Sequence, residues 1–110
     1  MKALFLLAAA LPLFSDVEIS GTLPAHLHRE EFVAVDSGKW GIEVFSNGDA
    51  ADLTCTYIHL NEVVLKQEHT HHCFATTNNV LPAYITVNVA NNESHSVAYK
   101  VRAYSMMKLK

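Results

Sequence analysis

Hydrophobic and polar positions alternate along most of this chain, with the period of two that sends successive side chains to opposite faces of an extended strand. In Ser96 to Ser105 (SVAYKVRAYS), Val97, Tyr99, Val101 and Ala103 share one face, and Lys100 and Arg102 take the other. In Ala83 to Ala90, Ile85, Val87 and Val89 oppose Tyr84, Thr86 and Asn88. Trp40, Ile42 and Val44 alternate with Gly41, Glu43 and Phe45 over Trp40 to Ser46, and Leu53, Cys55 and Tyr57 oppose Thr54, Thr56 and Ile58 over Leu53 to Leu60. Shorter runs of the same kind are Val17 to Leu23, broken at Gly21, then Glu31 to Val35, Val63 to Lys66, which is expected to pair with Leu53 to Leu60, and His71 to Thr76.

Turn residues separate these runs. Asp36-Ser37-Gly38, Asn47-Gly48-Asp49, Asn61-Glu62, Asn78-Asn79 and Asn91-Asn92-Glu93-Ser94 read as turns, and the polar stretch Ala25 to Glu30 as a connection. Beyond the first residues, no segment sustains a helical period. Seven or eight short strands with a turn about every ten residues predict an all-β sandwich or barrel.

A length of 110 residues holds one domain. Half of the residues are hydrophobic, enough for a core and against disorder. The formal net charge is −3 and no basic stripe is present, which argues against a nucleic-acid partner. Met1-Lys2 followed by the uncharged run Ala3 to Phe14 (ALFLLAAALPLF) has the make-up of an export signal and is too short to span a bilayer, so no stable membrane insertion is expected. Residues 1–15 therefore read as a signal peptide and 16–110 as the domain, in a secreted or periplasmic protein. In that compartment Cys55 and Cys73, the two cysteines of the chain, are expected to form a disulfide.

The ordered runs Ser20-Gly21-Thr22-Leu23, Glu31-Phe32-Val33-Ala34-Val35, Gly38-Lys39-Trp40-Gly41-Ile42-Glu43-Val44, Asp49-Ala50-Ala51-Asp52-Leu53, Ala83-Tyr84-Ile85-Thr86-Val87 and Ala98-Tyr99-Lys100-Val101-Arg102 resemble bacterial pre-peptidase C-terminal domains over most of the sequence after the leader. The resemblance implies a jelly-roll-like antiparallel sandwich. The family is usually appended to secreted proteases, and some members bind collagen or other polymers. The chain departs from the pattern by one extra residue between Asp49 and Asp52, and its 110 residues include no catalytic domain. The calcium ligands of the collagen-binding members do not map onto it.

The chemical candidates are few. His69, His71 and His72 cluster in Glu68-His69-Thr70-His71-His72. On a strand, His69 and His71 would share a face, as two ligands of Zn²⁺ or Cu²⁺ must, and Glu68, His59 or His95 would have to complete the site. A solvated polar loop is the simpler reading. His26 and His28 repeat the spacing with no further ligand nearby. Asp49 and Asp52 offer carboxylates suited to Ca²⁺, although turn residues explain them equally. Trp40, Tyr57 and Tyr84 are candidates for an aromatic binding platform, against the commoner use of aromatics as core or cross-strand pairs. No Gly-x-Ser-x-Gly, HExxH or catalytic-cysteine signature occurs, so no enzyme and no obligatory cofactor is expected. The sequence reads as an exported, non-enzymatic binding or structural module for a protein or extracellular polymer, acting through a strand edge or an aromatic patch. The alternatives are a small periplasmic metal-binding protein and a small secreted enzyme inhibitor.

Overall fold

A computed structural model describes residues 16–47 and 50–106; the leader, Gly48 and Asp49 of the expected Asn47-Gly48-Asp49 turn, and the last four residues lie outside them. Eight strands follow in order: β1 (Val17–Leu23), β2 (His28–Val35), β3 (Gly38–Ser46), β4 (Leu53–His59), β5 (Glu62–Thr70), β6 (His72–Asn79), β7 (Ala83–Asn91) and β8 (Val97–Ser105). They form two four-stranded sheets, β1-β8-β3-β6 and β2-β7-β4-β5, and every pairing is antiparallel. Two interleaved four-stranded sheets with these crossings are a jelly roll.

The alternation selects the inner faces. Ile42 and Val44 of β3 and Tyr99 and Val101 of β8 meet Val33 and Val35 of β2, Leu53 and Tyr57 of β4, and Ile85, Val87 and Val89 of β7 in one buried cluster. Tyr57 lies wholly within it and places its polar tip by donating from Oη to the Ile42 carbonyl of the opposite sheet, at 3.1 Å. Burial, with a smaller contribution from Glu43, pushes this hydroxyl above the usual phenol range. The disulfide Cys55–Cys73 also crosses the core, from β4 in one sheet to β6 in the other, with Cα atoms 6.4 Å apart. It links sheet to sheet rather than closing a hairpin within one sheet, because the chain changes sheets at His71 between β5 and β6.

Several boundaries differ from the sequence reading. Strand β5 runs on to Thr70 because backbone pairing with β4 continues through two register shifts, although its side chains turn polar after Leu65. The β4–β5 turn is Leu60-Asn61 rather than Asn61-Glu62: His59 pairs with Glu62, and both turn residues have positive φ, 54° and 64°, the two-residue type I′ geometry. Strand β2 starts at His28, so half of the Ala25 to Glu30 connection is strand. Asn78 and Asn79 are the end of β6 and not a turn; Asn79 is buried and donates to the Asp36 carbonyl and Thr77 Oγ1.

The two ends of the sandwich differ in construction. At one end, the connections β1–β2, β3–β4, β5–β6 and β7–β8 all cross between the sheets. Asn91, buried at the end of β7, ties two of them: its Nδ2 donates to the carbonyls of Leu23, Pro24 and His95, and its Oδ1 accepts from the Glu93 amide. Asp52 ties another pair, its amide donating to Glu93 Oε2 and its carbonyl accepting from Asn92 N. Between β1 and β2, Tyr99 Oη donates to Glu31 and accepts from Arg29, closing that side of the sandwich. Gly21 leaves room for this arrangement, since a Cβ there would lie 2.7 Å from Tyr99 Oη. The opposite end carries the β2–β3, β4–β5 and β6–β7 connections.

Candidate binding surface

That opposite end holds the largest exposed apolar groups. Leu60 stands at the tip of the β4–β5 turn with 80% of its surface exposed, and Val80 and Leu81 of the β6–β7 connection are 90% and 72% exposed. With His59, Asn78, Asn79, Pro82 and Ala83 they line a shallow groove of about 390 Å³. Water contact of this kind is unfavourable for aliphatic side chains, and clustered exposure of them marks interaction sites. Leu60 makes the point most sharply: the left-handed region suits Gly, Asn or Asp in such a turn, yet a bulky apolar residue occupies it.

The patch continues onto the outer face of the β2-β7-β4-β5 sheet. Phe32, Thr86, Ile58 and Val63 lie opposite one another in register, one from each strand, and form a row across the whole sheet. In the next row towards the end, Ala34 lies opposite Tyr84. Phe32 and Tyr84 are therefore diagonal neighbours on one face, at 62% and 68% exposure, within reach of one another for aromatic side chains. The following row, Glu30, Asn88, Thr56 and Lys66, is polar and bounds the patch.

Of the aromatics read as a platform, only Tyr84 belongs to this surface. Trp40 and Tyr57 point inwards from β3 and β4 and are buried, because the alternation that makes their neighbours core residues places them on the core face too. Phe32 is the second aromatic exposed on this surface. The sequence Glu31-Phe32-Val33-Ala34-Val35 has apolar residues on both faces, so it left open which face is inside; Val33 and Val35 occupy the core and expel Phe32.

The histidine segment does not converge. His69 has φ 56° and sits at the register shift between β4 and β5, which breaks the alternation that would have aligned it with His71. Its Nδ1 lies 3.1 Å from both carboxylate oxygens of Asp52. That hydrogen bond and charge hold His69 above its ordinary pKa, and hydrogen bonds from Asn92 first and then His69 hold Asp52 below its own. His72 turns to the other sheet, with Nε2 3.0 Å from Glu43. His71 lies between the two strands and is exposed. Of the further ligands considered, His59 is at the opposite end, Glu68 pairs with Lys66, and His95 lies 3.8 Å from Glu93. Among the described residues, no three His, Cys, Asp or Glu side chains come together to hold a metal. Asp52 is engaged as above, and Asp49 lies outside the described residues, as does the leader. Among those residues, too, no helix is long and apolar enough to cross a membrane.

No family model matches this chain, and no curated protein matches it in sequence. Solved structures do match in three dimensions. The Yersinia pseudotuberculosis-derived mitogen aligns with a TM-score of 0.63 at 12% identity, covering 89% of this chain and 92% of its own. The pre-peptidase C-terminal domain of Bacillus anthracis collagenase aligns at 0.60 and 18% identity, covering 81% and 89%. The Aeromonas hydrophila periplasmic inhibitor of g-type lysozyme aligns at 0.58 and 8% identity, covering 84% and 87%. At these identities the likeness is one of fold: the chain has the β-sandwich architecture of the pre-peptidase C-terminal domain, as its ordered sequence runs imply, and shares it with a mitogen and a lysozyme inhibitor.

Proposed function

We propose that this protein is an exported, non-enzymatic binding module that engages a protein partner through its apolar end. The observation that carries the reading is the continuity of Leu60, Val80 and Leu81 with Tyr84, Phe32 and Val63, which joins the exposed loops to a flat sheet face. Aromatic residues such as Phe32 and Tyr84 are enriched at protein interfaces, where apolar neighbours exclude water around the energetic anchors. Export rests on the leader and on the disulfide, which suits an oxidising compartment; intact-mass measurement on protein from its native host is expected to show a mature chain beginning near Asp16.

One observation favours a second, narrower reading. Leu60 projects from a two-residue turn, a convex and stiff element suited to a concave partner such as an enzyme cleft. The inhibitor role of the structurally similar lysozyme inhibitor is thereby a specific form of the same proposal. Metal binding through His69, His71 and His72 has less support, since carboxylates on opposite sheets draw His69 and His72 apart.

The test is capture of native extracellular proteins by the wild-type domain and by a Leu60→Asp, Leu81→Asp variant. A partner retained by the first and lost by the second supports the proposal, and inhibition of that partner's activity would assign the narrower reading. Equal retention by both overturns it.

A further inference from the structure

Six of the seven histidines lie at the end remote from the apolar patch. His26 is in the β1–β2 connection, His28 opens β2, His69 is near the end of β5, His71 is in the crossover, His72 opens β6 and His95 is in the β7–β8 connection; His59 alone is at the other end. Topology, not sequence proximity, brings them together, since four of the six inter-sheet connections converge there. We propose that this histidine-bearing end is an acid-gated binding surface for an anionic polysaccharide.

The charge balance supplies the gate. The groups facing the histidines are Asp52 and Glu68 for His69, Glu43 with Arg102 beside it and Lys100 in the same cross-strand row for His72, and Glu93 for His95. Among the described residues, His26, His28 and His71 make no ion pair. With the histidines neutral, the carboxylates of Asp52, Glu43, Glu68 and Glu93 face Arg102 and Lys100 there, and the chain as a whole carries −3. Histidine is the side chain that gains charge between pH 8 and 5. Protonation of all seven moves the formal net charge of the chain from −3 to +4, and six of those seven charges appear on this one surface. Such a concentration of one sign attracts a partner of the other.

The surface itself selects the class of anion. Leu27 and Phe74, the latter opposite Glu43, are the large apolar side chains exposed there among the described residues, on separate elements and too few to make the apolar anchor cluster of a protein interface or the insertion face of a lipid-bound surface. A polar groove lined by Asn47, Ser96 and His95 with small apolar neighbours runs across it. Charge spread over several loops beside amide and hydroxyl groups fits an extended, hydrated chain bearing sulfate or carboxylate groups. This inference is independent of the proposed function, whose residues lie at the opposite end.

The test uses the full mature domain and fluorescently labelled heparin as a sulfated polysaccharide, at pH 5 and pH 8 and one low ionic strength. Binding is expected to be at least tenfold tighter at pH 5. A His26→Gln, His71→Gln, His95→Gln variant should lose most of that gain, and His71→Gln alone, a single exposed change, should lose part of it. Lys39→Gln, at the opposite end of the sandwich where β3 begins, removes a positive charge elsewhere and should keep the gain. Three results would overturn the proposal: equal affinity at the two pH values, equal losses in the histidine triple variant and in Lys39→Gln, or equally tight acid-dependent binding to phosphatidylglycerol vesicles, which would mark a lipid surface instead.

Discussion

The two ends of this sandwich use their side chains differently. At the histidine-bearing end the backbone is cross-tied: Asn91 satisfies three carbonyls from two connections, Asp52 joins β4 to the β7–β8 connection, and the Cys55–Cys73 bond joins the sheets a few residues inside. At the apolar end, Leu60, Val80 and Leu81 are largely in water, so they add little burial to the fold. A small domain has a modest stability margin, roughly 5–15 kcal/mol. Side chains that leave that margin untouched while exposing apolar surface are most simply explained by a contact outside the chain. The comparison separates residues that hold the fold from residues available for recognition, and substitutions at the two ends should show it.

The largest effect is expected at the disulfide. Cys55→Ser with Cys73→Ser, or reduction of the wild type, should lower unfolding free energy by about 3 kcal/mol for a bridge closing a loop of this length. Denaturant unfolding with and without reductant measures it, and thiol labelling of denatured, unreduced protein should find no reactive thiol. Next comes Asn91→Ala, which strands the buried carbonyl of Leu23 and the part-buried carbonyls of Pro24 and His95 and should cost about 2 kcal/mol. A loss below about 0.5 kcal/mol would show that the tie contributes little. Tyr57→Phe removes one buried hydrogen bond across the core and should cost about 1 kcal/mol. Leu60→Asp and Leu81→Asp, by contrast, should stay within about 0.5 kcal/mol of wild type, as exposed substitutions do; a larger loss would place these residues among those that hold the fold.

The His69–Asp52 pair gives the comparison a pH dependence. His69 is raised by its hydrogen bond to Asp52, so its contribution is fully present below its ordinary value of 6.5 and is lost as pH rises through the folded value. Asp52 is lowered, so its contribution is present above its ordinary 3.8 and is lost as pH falls through the folded value. The pair therefore stabilises between the lowered carboxylate value and the raised imidazole value. Both groups are solvent-facing, so the effect on stability is small, and NMR titration is the better readout. The His69 ring should titrate above 6.5 and move back towards that value in Asp52→Asn; no movement would remove the pair.

Much of the fold was legible in the sequence. The alternation in β3, β4, β7 and β8 identified the core faces, because one face of each strand there is consistently apolar. What was hidden depended on partners distant in sequence. Asn79 and Asn91 carry turn-forming side chains, yet each ends a strand because its amide satisfies carbonyls of other connections. Phe32 could not be assigned a face from a run apolar on both sides. His69 and His71 lost their common face to a register shift that only strand pairing reveals. The proposed binding surface was the least legible part, since it joins residues of β2, β4, β5, β7 and two loops that become neighbours only in the folded sheet.

The most direct measurement of the central claim is site-specific photo-crosslinking in the native extracellular fraction. A photoreactive residue at Leu81 is expected to capture a discrete protein partner, and excess unlabelled wild type should compete that capture away while the Leu60→Asp, Leu81→Asp variant does not. The same residue at Thr22, exposed on β1 of the other sheet, should capture nothing specific. Capture from Thr22 as strong as from Leu81, or competition by wild type and variant alike, would contradict the assignment of recognition to the apolar end.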